Sequence, residues 1–199
     1  MNRNSRPKTL FMVLLCLSLI ATGCTAQWIR IALADLPVLA QMALNIGGLV
    51  TTLESGKPLS SSDAAAIQSV SNQAAQDLQL LQTLYNEYQT APSASTIQKI
   101  QNAIAELDQN LPALLQATHV SDPVLSARVT AAVNLIVTTV NSFAALIPQP
   151  TGPATAKAIT HKTATVPHPA DLRRLWNEQV CSSTGATNLE SARAACEMK

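Results

Sequence analysis

An all-α fold is predicted for this chain: a roughly four-helix up-and-down bundle, then a proline-rich linker and a small C-terminal helical hairpin. Three observations carry the prediction. Apolar residues recur at intervals of three and four through four successive stretches. Helix-start signatures stand before three of them, at Ser60-Ser61-Ser62-Asp63, Ser95-Thr96-Ile97-Gln98 and Asp122-Pro123. The 199 residues include only six glycines and two each of Trp, Tyr and Phe. A core must therefore be made of Ala, Leu, Ile and Val, with little of the alternation that a half-buried strand requires.

The first bundle helix is expected over residues 27–50, with Ile29, Ala32, Leu33, Leu36, Leu39, Ala40, Ala43 and Leu44 as its apolar stripe. Pro37 removes one backbone hydrogen bond inside it and is expected to kink or break it near Leu36. Gly56 and Pro58 mark the turn that follows. The second helix starts at the Ser60 capping box and carries Ile67, Val70, Ala74, Leu78, Leu81, Tyr85 and Tyr88, and Pro92 ends it. In the third, Ile97, Ile100, Ile104, Leu107, Leu111 and Leu114 repeat in strict three-four alternation, which indicates side-by-side bundle packing. The fourth starts at Asp122-Pro123 and carries Val129, Val133, Ile136, Val140, Phe143 and Ile147. It has no charge from Val129 to Ile147, yet Thr130, Asn134, Thr138, Asn141 and Ser142 form a polar face, which favours a buried bundle helix over a membrane span.

Residues 148–169 contain Pro148, Pro150, Pro153, Pro167 and Pro169 among Thr, Ala and Lys, a composition that packs poorly and reads as a linker. Beyond it, residues 170–181 and 189–196 are expected to form two short helices around Gly185, with a start signature at Thr187-Asn188-Leu189-Glu190. Helices of about three turns are unstable alone in water, so something must staple them. The hairpin of residues 170–199 is expected to be mechanically separate from the bundle and to be the part that reaches a partner.

The amino end has a different character. Arg3, Arg6 and Lys8 precede an uncharged run from Thr9 to Ala21, followed by Thr22, Gly23 and Cys24, the layout of an export signal. The run falls well short of the roughly 20 residues that span a bilayer core as a helix. Ala21-Thr22-Gly23-Cys24 resembles the lipobox of bacterial lipoproteins, with Ala21 standing where that family usually has Leu. The resemblance covers only residues 1–24. It implies removal of residues 1–23 and covalent lipid, including palmitate, on Cys24. With Thr25 in place of Asp after the cysteine, it implies, in a Gram-negative envelope, sorting to the outer membrane facing the periplasm.

Domain organisation follows: a signal over 1–23, a bundle over 24–147, a linker over 148–169 and a hairpin over 170–199. Three of the 13 basic residues precede residue 24, which leaves ten against 12 acidic ones and a net charge of −2. Neither a basic excess nor an aromatic series exists for nucleic acid to bind.

No catalytic constellation and no metal site is expected. His119 stands alone at a helix end, and His161 and His168 lie in the linker without carboxylates or cysteines to complete a metal site. Glu106 and Asp108 are two residues apart, which turns them to different sides of a helix. Export places the mature chain in an oxidising compartment. There Cys181 and Cys196 are expected to form a disulfide, with free thiols or a bond between chains as the competing readings. The expected function is non-enzymatic, a membrane-tethered envelope protein that binds or scaffolds, possessing no cofactor besides its lipid and with an envelope protein as the candidate partner. The alternative is a membrane-active helical protein that inserts into or perturbs the bilayer.

Overall fold

The computed structural model describes residues 6–49, 60–117, 120, 122–147, 166–181 and 196–198, with side chains described from residue 27 onward. Among the described residues five helices follow one another: α1 (Arg6–Gly48), α2 (Ser61–Thr90), α3 (Ala94–Ala117), α4 (Pro123–Ala144) and α5 (Pro169–Trp176), the last running on into a π-helical turn at Asn177–Cys181. No strand occurs among the described residues. The predicted all-α fold is what the chain adopts.

Polar capping places the helix starts. The Asp63 amide donates to Ser60 Oγ at 3.1 Å, and the Leu125 amide donates to Asp122 Oδ1 at 2.9 Å with Pro123 in the first turn. At α3 the cap is Ser93 and not Ser95, because Ser93 Oγ accepts from the Thr96 amide at 3.0 Å and its carbonyl from the Ile97 amide at 3.2 Å. The helix thus gains residues that a start at Ser95 would leave outside it. The Thr96 hydroxyl donates to Glu87 Oε1 at 3.0 Å, and Lys99 meets the same oxygen at 3.4 Å. One carboxylate clamps the α2–α3 turn.

Packing sets the order of the bundle. Trp28 of α1 stacks edge-on against Tyr85 at 5.5 Å between ring centres and lies 5.7 Å from Tyr88, and Tyr85 meets Phe143 of α4 at 6.5 Å. The stretch of α1 around Trp28, about midway along that helix, therefore lies beside the end of α2 and the end of α4. Nearer the other end, Ser71 Oγ donates to the Ala43 carbonyl at 2.7 Å. A Cβ on Gly47 would stand 3.0 Å from Gln68 Oε1 and 3.2 Å from Ser71 Oγ, so this glycine permits the close approach of α1 and α2. Numbers fall on α2 as they rise on α1, the signature of antiparallel neighbours. Asn141 Nδ2 donates to Asp108 Oδ1 at 2.8 Å and ties α4 to α3. The predicted stripes of α2 and α4 are buried throughout, and that of α3 is buried from Ile100 to Leu111 with Ile97 and Leu114 partly covered.

Three expectations are corrected. α1 starts at Arg6, not near Gln27, and runs as one helix of 43 residues; no strong breaker lies between Thr9 and Gln27. Of the kink or break expected near Leu36, the break does not occur: the helix continues through Pro37, which sits on the outward side, about 200° around the helix from fully buried Leu39. Leu44 is 54% exposed, while Trp28, Asp35, Val38, Met42 and Ile46 are buried. The buried sector of α1 is wider than its predicted stripe and turned to one side, because α1 packs against α2, α4 and α5 together.

The tail supplies that extra cover. Leu172, Trp176 and Val180 are fully buried, with α5 against α1 and the π-turn against α4. The expected mechanical separation of this segment from the bundle is therefore overturned: α5 is too short to hide its own apolar face and hides it on the bundle. Within the linker, residues 148–165 lie outside the described residues. So does the second arm of the expected hairpin, apart from Cys196.

Candidate functional site

The strongest concentration of unusual groups lies along the seam between α1 and the tail. Its floor is α1, which supplies Pro37, Val38, Gln41 and Asn45. The wall is the tail, held in shape by four connections. Cys181 and Cys196 form a disulfide with Cα atoms 5.7 Å apart. Trp176 Nε1 donates to the Cys196 carbonyl at 3.1 Å. The Asn177 carboxamide grips Met198 from both sides, Nδ2 donating to its carbonyl at 3.1 Å and Oδ1 accepting from its amide at 2.8 Å. These bonds satisfy buried polar atoms that would otherwise cost free energy, and they fix Glu197 and Met198 beside the bundle. Between floor and wall runs a groove of about 490 Å³, lined by Pro37, Val38, Gln41, Asn45, Arg173, Glu197 and Met198. A cation, an anion, two carboxamides and an apolar strip give it the mixed lining of a binding surface.

Asp35 sits beneath this seam with 1% of its surface exposed, and among the described residues neither carboxylate oxygen has a hydrogen-bond partner. Burial pushes its pKa up to about 6, with the nearby His168 pulling the other way. His168 caps α5, its Nδ1 accepting from the Ala170 amide at 3.4 Å. Trp28 Nε1 and Tyr85 Oη are likewise buried without partners among the described residues, and burial holds the Tyr85 hydroxyl well above its ordinary range. Asp77 accepts from Gln73 Nε2 at 2.8 Å; burial, and next the charge of Glu106, raise its pKa, against that hydrogen bond.

Sequence reasoning missed Asp35, though a signal existed. It lies three residues after Ala32 and four before Leu39, both fully buried, and so interrupts the apolar face with a charge. The remaining candidates are dispersed. Cys24 lies in the helical backbone of α1, four residues before Trp28. His119 and His161 fall outside the described residues. Glu106 and Asp108 are exposed on α3. Among the described residues, no three His, Cys, Asp or Glu side chains gather as a metal-binding group.

A second, shallower groove of about 610 Å³ runs along α4, lined by Pro123, Ser126, Ala127, Thr130 and Asn134 among others. It carries no charge.

Fold and seam together define a class: a helical bundle with its C-terminal tail closed by a disulfide and docked along one side. The chain matches no known family model, no curated protein and no solved structure.

Proposed function

We propose that this chain is an exported lipoprotein, tethered to the membrane through lipid on Cys24, whose bundle is a non-enzymatic binding or scaffolding module of the cell envelope. The observation that carries this reading is the Cys181–Cys196 disulfide. It supports export independently of the amino end, since such bonds persist in oxidising compartments and are rare where thiols are kept reduced. The partner-facing surface in this reading is the seam groove, where Gln41, Asn45, Arg173 and Glu197 offer donors and acceptors around an apolar strip.

Two or three acyl chains give stable anchoring where a single chain is marginal. Labelled palmitate should enter the wild-type protein, and Cys24→Ser should abolish labelling and release or stall the protein. A wild type that never incorporates palmitate would overturn the assignment. Photo-crosslinking from Gln41 and Asn45 in living cells should then capture an envelope partner.

A second reading, that the protein inserts into or perturbs the bilayer, rests on one observation. Gln27–Gly48 and Pro123–Ala144 are each long and apolar enough to cross a membrane. Half of each is buried inside the bundle, and each holds a buried charged residue, Asp35 or Arg128, which favours the bundle reading. Dye leakage from liposomes would support insertion; carbonate extraction of a Cys24→Ala form would count against it.

A further inference from the structure

Resting on the lipid-anchor reading, we propose that one particular end of the bundle is seated on the lipid surface: the end built from the Trp28 cluster, the α2–α3 turn and the end of α4. The seam groove, on the flank of α1, then stands off the membrane, within reach of a partner.

The length of the tether decides this. Only three residues lie between Cys24 and Trp28, which is 5% exposed and packed against Tyr85 and Tyr88. The four steps from one Cα to the other span about 6 Å as helix and about 14 Å if fully extended. Neither length leaves room for the bundle to swing free of its anchor. Whatever lies level with Trp28 must approach the headgroups, and that is the turn following Tyr88 on α2 together with the residues following Phe143 on α4. Residues 91–95 of the turn are all exposed and uncharged, and Ala145, two residues past Phe143, is exposed as well.

The groove lies alongside residues 37–45 of α1, which puts it roughly 20–30 Å along the helix axis from Cys24.

The two tryptophans provide the probe. Lipidated mature protein is reconstituted into vesicles of neutral and anionic phospholipid containing headgroup spin-labelled lipid as quencher. Trp176→Phe leaves Trp28 as the single emitter, and Trp28→Phe leaves Trp176. Emission from Trp28 should fall several-fold more than emission from Trp176. A flexible Gly-Ser segment inserted between Ala26 and Gln27 should remove that difference while the protein still floats with the vesicles. Because both tryptophans are core residues, hydrogen exchange on the unsubstituted protein gives a second readout: amides of residues 91 and 93–95 should exchange more slowly on vesicles than in detergent. Equal quenching of both tryptophans, or no quenching and no slowing while the protein floats with the vesicles, overturns the orientation and leaves the anchor standing. A Cys24→Ser form that floats like wild type, with no palmitate in either, overturns the anchor and the orientation with it.

Discussion

Asp35 shows how much one buried carboxyl can weigh in a bundle of small apolar residues. Its pKa of about 6 in the fold lies above the ordinary 3.8, so the folded state holds a proton that the unfolded state releases. Stability from this group is therefore present below about pH 4 and is lost as pH rises through about 6. Asp35→Asn keeps the shape and removes the titration. It should stabilise the protein at pH 7 by about 1–2 kcal/mol once solvent screening near the seam is allowed for, and it should leave stability at pH 4 nearly unchanged. Denaturant unfolding at the two pH values measures both effects. An equal shift at both pH values would mean that the residue acts through shape and not through charge.

At the scale of the element, α3 is the cleanest case of a helix held by one face. Ile104 and Leu107 are 3% and 0% exposed, so truncating either to Ala should cost about 2–5 kcal/mol by leaving a cavity in a closely packed interior. Gln101→Ala and Gln109→Ala should each stay within about 0.5 kcal/mol, since both side chains lie off that face. Four similar small effects in chemical denaturation would show that the face is misplaced. The start of the same helix offers a sharper comparison. Ser93→Ala removes the acceptor for the Thr96 amide and should cost about 1 kcal/mol, whereas Ser95→Ala should cost little.

For the whole molecule, the tail is the element with the weakest claim to independent existence and the largest effect on its neighbours. The Cys181–Cys196 bond closes a loop 15 residues apart in sequence, a constraint on the unfolded chain of about 3 kcal/mol. Replacing both cysteines by Ser should lower stability by about that amount. It should also raise the susceptibility of the tail to protease well before the bundle unfolds, because Trp176 and Val180 would lose the closure that holds them on α1 and α4. Exposure of Trp176 can be followed by a red shift of its fluorescence in a Trp28→Phe background. If bundle and tail are digested together, docking does not depend on the bond.

Periodicity and caps by themselves determined that the chain makes four long helices, where α2 and α4 begin, and which residues of α2, α3 and α4 turn inward. These features are local, since a three-four repeat and a side chain that accepts one amide proton need no knowledge of the rest of the fold. The spacing of Cys181 and Cys196 likewise made their bond legible, because it follows from proximity within one short segment. Only the tertiary structure decided the rest. The buried face of α1 is centred toward Asp35 and Met42, away from Leu44, because α5 covers a side that the apolar pattern does not mark. Ser93 displaces Ser95 as the cap because Thr96 is drawn to Glu87 across the turn. The tail lies on the bundle, and the groove exists, because α5 cannot bury Leu172 and Trp176 against itself. Each outcome depends on surfaces distant in sequence, whose free energies of burial outweigh the local preferences that a single stretch of residues displays.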